Sequence, residues 1–354
     1  MKTNRKRFFV RLFAILSAAL LVLSLLGTLA LELARQSASG LEDQEAAERW
    51  GGETAAQFSC FFAKGYGYHP DRIPSLERAV DEALTEASLT APESARLWYH
   101  AYSTETSLYA SAARDSATLS VTVFGGDYFL IHQPALLSGG YLSPGGSNLG
   151  YIFLDENAAW KLFGAIDVVG MPLTLAGAEY IVCGVGRIPS GTLYDEAYGT
   201  APRAYILFGS PAAPSSEIST YEIVLPEPIE GFAQSILEKQ FSSGDNTVIV
   251  ENSARFTVPA LWEHLKTRSH LGVRTSPVTF PWWENVARVT EFRCASLLRG
   301  EIALLTAAGF VVLLWIALLW NPAGRAMKNG LIRLRDAAGD KYNALTRPKK
   351  YRDL

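Results

Sequence analysis

Two long apolar runs bracket this chain, and between them apolar positions recur at the shorter periods of strands and helices. From Leu12 to Leu31 no residue is charged. A helix rising about 1.5 Å per residue carries such a run across the ~30 Å hydrocarbon layer of a bilayer. Ile302 to Trp320 is a second uncharged run, and Asn321-Pro322 predicts its end, because a proline ring clashes with the preceding turn. A cleavable signal peptide has an apolar core of only about 7–15 residues, so the first run is read as a retained span. No cysteine follows it closely, which leaves a lipoprotein anchor without a point of attachment. Glu32 to Arg49 is charged, alanine-rich and free of proline, and predicts a short stalk continuing the first span, weakened at Gly40. Glu284 to Leu298 has the same character and leads into the second span; the alternative to two stalks is a pair of flexible linkers.

The middle of the chain changes period repeatedly. Gln57 to Phe62 reads as a buried strand, Tyr66 to Pro70 as loop, and Arg96 to Ser103 as a further strand. Between the strands, Leu76, Ala79, Val80, Ala83 and Leu84 fall at helical spacing within Ser75 to Ala87, completing a β-α-β unit. The same grammar recurs later: strand Tyr221 to Leu225, a helix face of Ile229, Phe232, Ile236, Leu237 and Phe241, and strand Asn246 to Val250. A helix is expected over Pro259 to Arg268. Between the two units the pattern is mainly β, with Ala117 to Phe124 a strand closed by a Gly125-Gly126 turn. Glu156 to Phe163 is a helix capped by Asp155 and stopped at Gly164. Leu173 to Leu175 and Tyr180 to Val185 form a hairpin around Ala176 to Glu179. The predicted architecture is α+β, an outer domain with two β-α-β units and a β-rich subdomain, flanked by two transmembrane helices. Its boundaries are a basic N-terminus at 1–11, a span at 12–33, the outer domain with its stalks at 34–300, a span at 301–320 and a basic tail at 321–354.

Charge assigns the orientation. Five basic residues precede the first span, and nine follow the second against three acidic ones, leaving 18 basic and 32 acidic residues for 12–320. Lys and Arg beside a span are retained in the cytoplasm. Both termini are therefore expected in the cytoplasm of a plasma-membrane protein, with the acidic middle outside. The basic tail beside a span suits anionic lipid, at about 1 kcal/mol per residue near the surface, and no nucleic-acid partner is inferred. Cys60, Cys183 and Cys294 all fall outside, where a disulfide persists if one forms; Cys60 and Cys183 suit buried apolar strands, and spacing alone does not decide whether they pair.

Candidate chemistry is sparse. No glycine-rich loop ends in Lys-Ser or Lys-Thr, so the chain lacks a phosphate cradle. His69, His100, His132, His264 and His270 show no metal-ligand spacing. Ser138-Gly139-Gly140 and Ser190-Gly191 lack the frame of a nucleophile elbow and read as turns. Asp155-Glu156 points its adjacent carboxylates apart at a helix start, and capping accounts for Asp155. Trp282-Trp283 lies too far before the second span for its interfacial belt and is expected to pack at the base of the outer domain or meet a partner. No catalytic, cofactor or metal residue is assigned, and the chain is not expected to be an enzyme.

One stretch resembles the extracytoplasmic core domain of MacB-like ABC transporter permeases. The likeness runs through Gly126-Asp127-Tyr128-Phe129, Leu136-Leu137-Ser138-Gly139-Gly140-Tyr141-Leu142, Leu154-Asp155-Glu156, Ala159-Trp160, Leu162-Phe163-Gly164, Asp167-Val168-Val169-Gly170-Met171, and Gly177, Tyr180 and Val182-Cys183-Gly184-Val185. It covers about sixty residues, and the order of span, outer domain and span agrees over the whole chain. The resemblance implies a non-catalytic membrane subunit serving export or mechanotransmission, with a separate ATPase subunit and either self-association or a permease as partners. Family members have four spans, whereas the tail here holds no further apolar run. The alternative is a membrane-anchored sensor or binding module with no transport role.

Overall fold

The computed structural model describes residues 2–38, 41–51, 54–91, 96–214, 217–241, 244–267 and 277–346. Helix α1 (Lys2–Ala38) is followed by a 3-10 turn (Glu42–Gln44) and the short α2 (Ala46–Gly51). Then come β1 (Ala55–Phe62), α3 (Ile73–Glu86), and the long hairpin of β2 (Tyr99–Ser111) and β3 (Ser116–Gly126). The insertion continues with α4 (Tyr128–Ile131), β4 (Leu136–Gly139), β5 (Tyr151–Asp155), α5 (Glu156–Phe163), β6 (Pro172–Leu175), β7 (Ala178–Gly186), α6 (Thr192–Tyr198) and β8 (Arg203–Leu207). The chain closes with β9 (Thr220–Pro226), α7 (Phe232–Gln240), β10 (Thr247–Glu251), α8 (Val258–Thr267) and α9 (Trp282–Thr346). Two compact units result, Met1–Leu31 with Leu297–Leu354, and Glu32–Ser296.

In the first unit, α1 and α9 each contain a stretch long and apolar enough to cross a membrane. Glu301 joins them: its Oε1 accepts from Ser24 Oγ at 2.8 Å and Thr28 Oγ1 at 2.9 Å. Gly27 makes room, since a Cβ there would collide with the Glu301 carboxylate. Trp315 Nε1 donates to Ser17 Oγ at 3.1 Å. Such polar contacts hold apolar helices together where lipid supplies no hydrophobic driving force between them. The expected stop at Asn321-Pro322 does not occur, and α9 runs through it to Thr346. A proline inside a helix costs about 3 kcal/mol, and strong helix formers on both sides, Leu318, Leu319, Arg325, Ala326 and Met327, carry the helix past it.

In the second unit the strands form one ten-stranded sheet of order β10-β1-β9-β2-β3-β8-β5-β7-β4, with β6 paired to β2 and β7. The two β-α-β units are present and interleaved. β9 lies antiparallel between β1 and β2, while β1 lies antiparallel between β9 and β10. Each unit thus encloses a strand of the other, which is the split β-α-β arrangement. Helices α3 and α7 cover one face, burying Leu76, Val80, Ile236 and Leu237 against Phe58, Cys60, Tyr221 and Ile223. The inserted half has its own core under α5, where Ala158 and Leu162 meet Val121, Val182 and Ile206.

Local readings of the insertion hold for α5 and are corrected at its turns. Asp155 caps α5 by accepting from Ala158 N at 2.6 Å, and Gly164 ends it at φ +75°. The β6–β7 hairpin turns on Ala176 and Gly177, tighter than the four residues expected. Gly125-Gly126 is not a turn: both close β3 opposite Tyr102 and Ala101. Glycine is needed because a Cβ on Gly125 would enter the Tyr102 ring, and a Cβ on Gly126, already at φ +67°, would press on the His100 carbonyl. Ser138-Gly139 likewise lies in β4, paired to Val185 and Gly184. The stalk expected over Glu32 to Arg49 breaks: α1 ends at Ala38 and the chain turns before α2, with Gly40 outside the described residues. Glu284 to Leu298 is helical throughout as part of α9.

Candidate functional site

Strand β1 is buried on both faces. The face away from α3 and α7 carries Gln57, Ser59 and Phe61 on β1, beside Val224, Glu222 and Thr220 on β9. Glu222 is about 1 % exposed in the middle of an apolar strand, where an ionised carboxylate persists only with partners. Its Oε1 accepts from Ser59 Oγ at 3.2 Å, and its Oε2 lies 2.6 Å from His132 Nε2. The other ring nitrogen, Nδ1, lies 2.7 Å from Asp43 Oδ1. Both ring nitrogens thus face carboxylate oxygens, a setting that favours the imidazolium, which donates from both. Burial alone would drive His132 down, but Glu222 and Asp43 outweigh it and raise it to about 10. Burial pushes Glu222 up while His132 draws it back. Tyr128 and Trp283 flank the imidazole at ring distances of 4.5 and 4.9 Å.

The polar chain continues through Ser59. Asn252 Nδ2 donates to Ser59 Oγ at 2.8 Å, and Arg255 Nη1 approaches Asn252 Oδ1 at 3.5 Å. Arg255 grips α9: it makes a bidentate pair with Glu284 at 2.8 and 2.9 Å and reaches Glu291 Oε2 at 3.1 Å. Burial works against its charge, but Glu284 and Glu291 hold its pKa above the ordinary arginine value. Glu284 also pairs with Arg288 at 2.8 Å, and Glu291 with His264 Nε2 at 2.7 Å. Gln57 adds the α2 side, accepting from Ala46 N at 2.8 Å and donating to the Asp43 carbonyl at 2.7 Å. A continuous buried chain therefore ties the 3-10 turn after α1, the central sheet and the first turns of α9 together. Its members satisfy one another, so its chemical capacity is to hold these elements in one geometry.

The residues singled out in the sequence are scattered. His69 is exposed; His100 is buried with Nε2 3.1 Å from Glu77, and burial takes it down to about 4. His264 joins the α9 cluster and His270 lies outside the described residues. Among the described residues no group of three or more His, Cys, Asp or Glu is placed to hold a metal. Asp155 receives Tyr198 OH at 2.9 Å besides its capping bond, and burial pushes its carboxyl to about 6. Cys60, Cys183 and Cys294 are all free, so the open pairing of Cys60 with Cys183 is not made. Trp283 packs on Phe61 and Phe280, and Trp282 meets Tyr198 edge-on, as expected of packing at the domain base. Sequence reasoning missed Asp43, Glu222, Arg255, Glu284 and Glu291. The one available signal was a glutamate inside the apolar run Tyr221 to Leu225.

No family model matches the chain and no curated protein matches it. Among solved structures it is similar to the periplasmic region of MacB from Actinobacillus actinomycetemcomitans, at TM-score 0.38 and 13 % identity, covering 61 % of this chain and 94 % of that one. It is also similar to the extracellular domain of the noncanonic ABC-type transporter YknZ from Gram-positive bacteria, at TM-score 0.37 and 12 % identity, covering 55 % and 99 %. A domain of a putative permease protein from Porphyromonas gingivalis aligns at TM-score 0.34 and 11 % identity, covering 56 % and 89 %.

Proposed function

We propose that this chain is a non-catalytic membrane subunit of an ABC-type assembly, contributing its outer domain to export or mechanotransmission. The observation that carries the reading is the buried charged chain. It grips the turn that follows α1 and the first turns of α9, a helix unbroken from Trp282 to Thr346. Buried ion pairs are a costly way to gain stability and are most useful where one geometry must be specified, as in a part that passes on motion. The residue-level resemblance to MacB-like permeases points the same way, and the charge distribution favours both termini in the cytoplasm. Without a phosphate cradle the chain needs a separate ATP-hydrolysing partner.

The test is gentle-detergent purification of the tagged full chain from its own membranes, with mass spectrometry of what accompanies it. Recovery of an ATP-binding subunit in fixed ratio is expected. Repeated recovery without one, under conditions that preserve a control ABC complex, would sink the transporter reading and favour a membrane-anchored sensor.

A further inference from the structure

The sheet face that carries Glu222 also floors a cavity of about 670 Å³, within the ~300–1,000 Å³ of small-molecule sites. Its floor is built by register. Ser103 on β2 stands opposite Thr220 on β9, and two positions along β2, Glu105 stands opposite Thr122 on β3. Ser103, Thr122 and Thr220 are more than nine-tenths buried, at 8 %, 4 % and 3 % exposure. Among the described residues none of the three hydroxyls makes a side-chain hydrogen bond within the protein, while all three residues line the cavity. Without a protein partner and open to the cavity, three adjacent hydroxyls offer donors and acceptors to an occupant that can match them. Phe280 and Trp283 form an apolar wall, and the carboxylates of Glu105 and Glu217 stand at the lining with Lys64, a balance that disfavours an anion.

We infer that this cavity is a binding site for a neutral, polyhydroxylated ring, a mono- or disaccharide. Sugar hydroxyls both donate and accept, as Ser and Thr do. The C–H face of a pyranose suits an aromatic wall, and the carboxylates accept from further hydroxyls. The site touches the charged chain directly: Trp283 and Tyr128 line the cavity and also flank the His132 imidazole. Occupancy therefore bears on the first turn of α9 through Trp283. The assignment does not depend on an ABC partner.

The test is calorimetric titration of the full chain in lipid nanodiscs with maltose and with N,N′-diacetylchitobiose, for the native protein and for Thr122→Val/Thr220→Val. Saturable binding of at least one disaccharide, tighter than about 1 mM, is expected. The variant should weaken it about tenfold or more. Because the lost hydroxyls have no protein partner, the variant's unliganded thermal midpoint should stay level or rise. Three results would overturn the assignment: no binding of either sugar, binding undiminished in the variant, or a lower midpoint, which would place the hydroxyls in the packing. Sugar binding by protein that recovers no ATPase would leave this site standing while removing the transporter reading.

Discussion

Replacing His132 with glutamine tests the charged chain at its centre. The imidazolium is about 5 % exposed and sits between Asp43 at 2.7 Å and Glu222 at 2.6 Å. Its loss leaves Glu222 buried without its cation. Removing one partner of a buried ion pair costs about 3–5 kcal/mol. At ~2–4 °C per kcal/mol for a domain of this size, the thermal midpoint should fall by about 6–20 °C. His132→Leu/Glu222→Leu removes both charges and should recover most of the loss, giving a strongly non-additive cycle. Native protein should also show a pH signature. The folded-state value of about 10 lies above the unfolded value near 6.5, so the folded chain keeps a proton that the unfolded chain releases. This stabilisation is complete below about pH 6.5 and is lost as pH rises through about 10. Tryptophan-fluorescence melts of the full chain in detergent from pH 6 to 10.5 measure both effects. A His132→Gln midpoint within 2 °C of native, or a double variant no better than the single one, would show that His132 and Glu222 do not act as a buried ion pair.

Further outcomes are expected elsewhere. Arg255→Met should lower the same midpoint by an amount comparable to His132→Gln, because Glu284 and Glu291 lose their shared cation; an unchanged melt would show that water already solvates the cluster. In SDS-unfolding titrations, Ser24→Ala/Thr28→Ala should cost about 0.6 kcal/mol per bond to Glu301, and Gly27→Val should cost more by pushing the carboxylate away. Gly126→Ala should destabilise by about 1–3 kcal/mol, from its φ of +67° and the contact with the His100 carbonyl, and an equal melt would contradict that. Maleimide should leave Cys60 unlabelled until urea unfolds the chain, because burial at 0 % exposure pushes its thiol well up; rapid native labelling would place it at the surface.

What could be read from the sequence was what neighbours in sequence determine. The α5 helix was legible because Asp155 and Gly164 act on the residues beside them, and both β-α-β units because each carries its own period. Their interleaving was not, since β9 enters between β1 and β2 by pairings across more than a hundred residues, here Ser103 with Thr220. β8 gives no alternation to find, as all five of its residues are buried. Gly125-Gly126 reads as a turn because a glycine pair gives the same signal when the real demand is a close backbone approach. The charged chain was least visible. His132 meets Asp43 and Glu222 from 89 and 90 positions away, and no spacing rule joins residues brought together only by the sheet.

The buried charged chain makes the sheet and the first turns of α9 one cooperative body, which hydrogen–deuterium exchange of the full-length protein measures. Amides from Val286 to Glu291 should exchange through the same opening, with the same free energy, as those of Phe58 to Phe61 in β1. Exchange of the α9 turns orders of magnitude ahead of the strand would show that the helix opens independently, and would contradict the claim.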